Sequence, residues 1–117
     1  MKPLCKISMG HESVNLTIRS GSGGEFTLDT ATITIGIDYD DRQGLLDVLL
    51  HETMEYVLTR KGLRYYPCVD MANDQGAYVF MLNHAQFSDC CGAAAMFLLE
   101  AEPKLTIAWQ KKQKTKK

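Results

Sequence analysis

The pentapeptide His51-Glu52-Thr53-Met54-Glu55 puts an imidazole and two carboxylates on a short stretch whose neighbours read as the middle of a helix. Residues four apart on a helix lie one above the other. With His51 as origin of a helical wheel, Glu55 falls at roughly 40° and Glu52 at roughly 100°. At that spacing the His51 imidazole and a Glu55 oxygen can both reach a zinc ion at about 2.0–2.2 Å. Glu52 is offset enough to miss the ion while touching a water beside it, which is the position of a general base. A catalytic zinc commonly takes three protein ligands and leaves one place for water, so a third ligand must come from elsewhere. His84, which opens the next helix, is the first candidate. His11 competes, but His11-Glu12-Ser13 sits in a loop without a helical frame.

The elements that would hold these groups follow from changes of period. Val14-Asn15-Leu16-Thr17-Ile18 alternates apolar and polar residues, Ser20-Gly21-Ser22-Gly23-Gly24 has turn chemistry, and Glu25-Phe26-Thr27-Leu28 resumes the alternation, which predicts a hairpin. A third strand is expected over Thr32–Asp38, where Gly36 marks a bulge or a close backbone approach. If that strand forms a sheet edge beside the helix, its free backbone groups can pair with an extended peptide; otherwise it is ordinary sheet.

Asp38, Asp40 or Asp41 can cap the first helix. Leu45, Leu46, Leu49, Leu50, Thr53, Tyr56 and Val57 recur at helical spacing until Gly62 stops it. The stretch from Leu63 to Gln75 is turn-rich with room for a short strand, and Ala77–Leu82 reads as a short extended segment. Tyr65, Tyr66 and Tyr78 in this connection are candidates to stabilise an oxyanion. Asn83 caps a second helix that carries Phe87, Cys91, Ala94, Ala95 and Leu98 and that Pro103 should end, leaving Leu105–Trp109 as a strand or packing arm. The fold class expected is α+β: a small antiparallel or mixed sheet packed on two main helices.

A chain of 117 residues, 45% apolar and 23% charged, suits one domain over residues 1–110. The net charge of −1 hides an asymmetry. Residues 111–117 hold five of the 13 basic side chains, so 8 remain against 14 acidic ones and the body carries −6. That tail is expected to be disordered, and a weak nucleic-acid contact is its one functional reading. An acidic body argues against specific DNA recognition. Cys5, Cys68, Cys90 and Cys91 form no C-x-x-C and are expected as reduced thiols, Cys91 as a small buried thiol among alanines rather than a partner of His84 in a structural zinc site. Met1-Lys2-Pro3-Leu4-Cys5 lacks a signal-peptide apolar segment and no run approaches a membrane span, so a cytoplasmic protein is expected.

Leu49–Val57 around the pentapeptide, followed by Asn83-His84-Ala85-Gln86-Phe87, resembles the small zincin-like metallopeptidases encoded by phages and prophages. The resemblance spans roughly residues 32–100. It implies a minimal zincin-like fold in a host-cell cytoplasm, a Zn2+ ion held by His51, Glu55 and His84, Glu52 as catalytic base, and a peptide or protein substrate. Glu55 departs from the commoner H-E-x-x-H by adding a negative charge that tempers the metal's Lewis acidity. The same features also suit a non-catalytic zinc module in phage assembly or host interaction.

Overall fold

The computed structural model describes residues 3–66 and 78–115. Four strands, β1 (Cys5–Met9), β2 (Glu12–Arg19), β3 (Gly24–Thr27) and β4 (Thr32–Gly36), precede helix α1 (Arg42–Arg60); β5 (Arg64–Tyr65) and β6 (Val79–Phe80) then lead to helix α2 (His84–Thr115). The first four strands form one mixed sheet in the order β1-β2-β4-β3, and β5 and β6 form a separate antiparallel pair. The α+β architecture expected from the sequence is therefore present.

The alternation of β2 and β4 was legible, but the pairing differs from the expected hairpin. β2 and β3 do not pair. β4 inserts between them, parallel to β2 with Leu16 opposite Ile33 and antiparallel to β3 with Phe26 opposite Ile33. The glycine-rich stretch thus carries the chain across one strand's width rather than around a tight turn. Two hairpins do form: β1 with β2, turned at Gly10 with φ 69°, and β3 with β4, turned across Leu28–Ala31. Ile7, Val14, Leu16, Ile33 and Ile35 point to the covered face and lose all contact with solvent. α1 lies over β3 and β4, and α2 over β1 and against α1.

The Asp41 carboxylate caps α1 by accepting from Gly44 N at 2.8 Å, and Gly62 ends it with φ 75°. α2 opens with a reciprocal capping box: Asn83 Oδ1 accepts from Gln86 N at 2.9 Å, and Gln86 Oε1 from Asn83 N at 2.8 Å. Its buried row Cys90, Ala94, Phe97, Ala101 and Leu105 continues through Pro103, so the expected stop is absent and Leu105–Trp109 is helix. Pro103 is exposed, and the carbonyl it leaves without a helical donor is that of Leu99, itself on the exposed face of α2.

The lysine-rich tail, expected to be disordered from residue 111, is helical as far as Thr115. Three contacts anchor it: Trp109 Nε1 and Gln113 Nε2 donate to the Tyr39 carbonyl at 2.9 and 2.5 Å, and Lys112 pairs with Asp38. Cys5, Cys90 and Cys91 are free thiols, but it is Cys90 that is buried while Cys91 is exposed; Cys68 lies outside the described residues. Among the described residues no helix is long and apolar enough to cross a membrane.

Candidate metal centre

Helix α1 buries Leu45, Val48, Leu49, Thr53, Tyr56 and Val57 on its sheet-facing side, and Glu52 falls within that stripe. Glu52 is only 7% exposed. A carboxylate there is tolerated because residue 24 of the adjacent edge strand is glycine. A Cβ on Gly24 would stand 2.7 Å from Glu52 Cγ and 2.9 Å from the Thr34 carbonyl oxygen. The missing side chain is the space that Glu52 fills.

One step around the helix, His51 Nε2 lies 2.7 Å from Glu55 Oε2 and 3.9 Å from Glu52 Oε2. One ligand atom from each of His51, Glu52 and Glu55 falls within 4.8 Å of the others, a group that could hold a metal ion. The helical spacing alone places His51 and Glu55 together. Glu52 joins them from the buried side of the helix, against Gly24 of β3. Desolvation pushes the Glu52 carboxyl above its ordinary pKa, with Glu55 and Glu25 adding to the rise and His51 opposing it.

The other side of the centre is aromatic. The Tyr78 hydroxyl donates to Glu55 Oε1, and this bond, reinforced by burial, pushes the Tyr78 phenol up to about 12. Its ring meets Tyr66 and Phe80 edge to face, with centroids at 6.1 and 5.4 Å, and Arg64 lies 5.1 Å from its centre. Of the three tyrosines considered from sequence, Tyr78 is thus committed to Glu55, while Tyr65 and Tyr66 are exposed. Orienting a ligand through its second oxygen is a common supporting contact in metal sites.

His51 stands between two hollows. One, of about 380 Å³, is bounded by Gly23, Gly24, Tyr39, Gly44, Val48 and Glu52; the other, of about 340 Å³, by Leu50, Met54, Glu55, Leu58 and Phe80. Asp47 and His51 line both.

The structure does not gather the remaining histidines with this group. His84 is the exposed first residue of α2 and stands outside the gathered group, four residues beyond the Phe80 that lines the hollow beside Glu55. His11 lines a separate cavity of about 250 Å³ with Met9, Val57 and Arg60. Residues 51 and 60 of α1 are about 13 Å apart along the helix axis, which sets His11 away from the centre. Its neighbour Glu12 is structural: Oε1 accepts from Tyr56 OH at 2.7 Å, and Arg60 pairs with Oε2 at 2.9 Å.

Of the two readings of the strand over Thr32–Asp38, ordinary sheet holds and the peptide platform does not. β4 spans Thr32–Gly36 and is interior to the sheet, so both its edges are occupied. The edge beside α1 is β3, whose alternation is legible in the sequence but whose place at the edge is not. Gly36 does mark a close approach: a Cβ there would lie 2.4 Å from the Gly21 carbonyl oxygen.

Compared with protein-family models, with curated proteins and with solved structures, the chain matches none.

Proposed function

We propose that this protein is a zinc-dependent hydrolase acting on peptides, with His51 and Glu55 as two ligands and Glu52 as general base. The observation that carries the proposal is the convergence of one imidazole and two carboxylates within 4.8 Å, with the central carboxylate buried against a free sheet edge. The donor set suits zinc. Two atoms bound to one tetrahedral zinc at about 2.0–2.1 Å stand roughly 3.3 Å apart. The 2.7 Å between His51 and Glu55 therefore needs to open by about 0.6 Å, within reach of a carboxylate rotation. For the third ligand the proposal is His84. His84 stands outside the gathered group, so this role requires its exposed side chain to swing toward His51 and Glu55, across the at most about 14 Å that four residues from Phe80 can span.

Zinc held there would supply Lewis acidity, polarising a carbonyl and acidifying water. Glu52 holds a proton more readily than an ordinary carboxylate, which suits taking one from the attacking water and passing it to the leaving amine. Gly24 abuts Glu52, so an extended peptide paired with the free edge of β3 would run past the base. Tyr78 keeps Glu55 oriented toward His51.

One observation favours a second reading. Glu52 itself belongs to the gathered group, and as a third ligand it would leave a metal-holding module without a base. Glu52→Gln separates the two. Retained zinc affinity with hydrolysis lost supports the hydrolase, whereas collapse of zinc affinity supports the non-catalytic module.

A further inference from the structure

Tyr39 lies in the connection between β4 and α1, and three elements fix it. From α2, Trp109 Nε1 and Gln113 Nε2 both donate to its carbonyl. From α1, Gly44 makes room for its ring: a Cβ on Gly44 would stand 2.8 Å from Tyr39 Cδ1. From the glycine-rich loop, Gly23 N donates to the phenol oxygen at 2.7 Å.

That loop is itself held from both sides. Gly36 N donates to the Gly23 carbonyl at 2.8 Å, Asp38 N to the Gly21 carbonyl at 3.0 Å, and Gly21 N to Asp38 Oδ2 at 2.6 Å. Gly23 has φ 74°, a conformation that glycine adopts without strain. The phenol oxygen therefore sits at the head of β3, where Gly23 N–H occupies an acceptor position and leaves the hydroxyl proton free to be donated. Tyr39 lines the same hollow as Glu52 and His51.

We propose that Tyr39 is a further substrate-binding residue of this centre, its O–H donating to the substrate oxygen that gains negative charge during attack. This assignment rests on the hydrolase reading. It explains why so many contacts converge on one loop tyrosine. A fixed donor lining the same hollow needs no reorganisation during the reaction, whereas Tyr78, bonded to Glu55, would have to give up an existing partner.

The test uses the full chain loaded with zinc, comparing parent and Tyr39→Phe in peptide hydrolysis and in calorimetric binding of a phosphinic peptide that mimics the tetrahedral anion. Loss of one such donor should lower kcat roughly 100-fold and weaken the phosphinic peptide by a similar factor, with KM and zinc content nearly unchanged. A purely structural role would instead lower the unfolding temperature and leave the ratio of analogue to substrate affinity unaltered. Should Tyr39→Phe fail to fold, Trp109→Phe loosens the Tyr39 carbonyl while keeping the phenol, and a several-fold drop in kcat at constant zinc content is expected. A folded, zinc-loaded Tyr39→Phe that hydrolyses peptide and binds the analogue within about twofold of the parent overturns the assignment while leaving the hydrolase reading intact. A parent that binds zinc but neither hydrolyses nor binds the analogue removes that reading and the role of Tyr39 with it.

Discussion

Replacing Gly24 with alanine probes the contact on which the centre depends. The added methyl would meet Glu52 Cγ at 2.7 Å and Thr34 O at 2.9 Å, where ordinary contacts begin near 3.4 Å. Thr34 O belongs to the neighbouring strand, opposite Glu25 in the β3–β4 ladder, and cannot retreat without stretching it. The strain therefore falls on Glu52, which has to move by about 0.7 Å in a packed groove, and overpacking of this kind costs about 1–3 kcal/mol. The lower backbone entropy of unfolded alanine offsets roughly 0.4–1 kcal/mol of that. A net loss of about 1–2 kcal/mol should lower the unfolding temperature of a domain this size by roughly 4–8 °C.

Circular dichroism melts of metal-free protein read the effect directly. Gly92→Ala is the control, because a Cβ there meets nothing within 4 Å on an exposed turn of α2. It should stabilise by about 0.5–1 kcal/mol through helix propensity alone. If Gly24→Ala melts at or above the parent temperature, Glu52 is not wedged against β3 and the geometry argued for the base is wrong.

The buried carboxyl also predicts a pH dependence. Glu52 binds its proton more tightly folded than unfolded, so its contribution to stability is full below the ordinary 4.5 and is lost as the pH rises through the raised folded value. Metal-free Glu52→Gln should therefore melt above the parent at neutral pH, with the difference closing below 4.5; a gap that widens on acidification would contradict the burial argument. Tyr56→Phe deletes a fully buried hydroxyl that donates to Glu12 and accepts from Arg60, and chemical denaturation should show a loss of about 1–2 kcal/mol. Pro103→Ala restores a helical N–H and should raise stability by about 1–3 kcal/mol if α2 is continuous; a decrease would mean that the helix breaks there. His84→Ala should weaken zinc binding at least tenfold with the fold intact, and unchanged affinity would remove His84 from the ligand set.

The parts of this architecture that were readable in the sequence are those set by local period. The stripe from Leu45 to Val57, the alternation in β2 and β4, the cap at Asn83 and an aspartate cap of α1, narrowed to Asp38, Asp40 or Asp41, all depend on residues within a few positions of one another. Strand order was not readable. The β3–β4 pairing goes with long-range packing such as Phe26 on Tyr56, with ring centroids 5.8 Å apart, a contact between residues thirty positions apart. Pro103 misled because a missing N–H ends a helix only when nothing else holds its continuation, and Trp109, Lys112 and Gln113 hold it from the β4–α1 connection.

Within the centre, His51 and Glu55 were given by helical spacing alone. The burial of Glu52 was not, since it depends on Gly24 in another element. Tyr39 was passed over because its signal is relational: a lone aromatic between Asp38 and Asp40 gains meaning only when a glycine loop and the end of α2 close on it. A clue did exist in the glycines at 24, 36 and 44, where backbone and side chains approach most closely.

The most direct measurement is a zinc titration of the metal-free protein by calorimetry, run beside His51→Ala and Glu55→Ala. The parent should take up about one equivalent, and each substitution should weaken binding tenfold or more while leaving the circular dichroism spectrum unchanged. A parent that binds no zinc, or variants that bind it as the parent does, would show that the convergence of His51, Glu52 and Glu55 is not a metal centre.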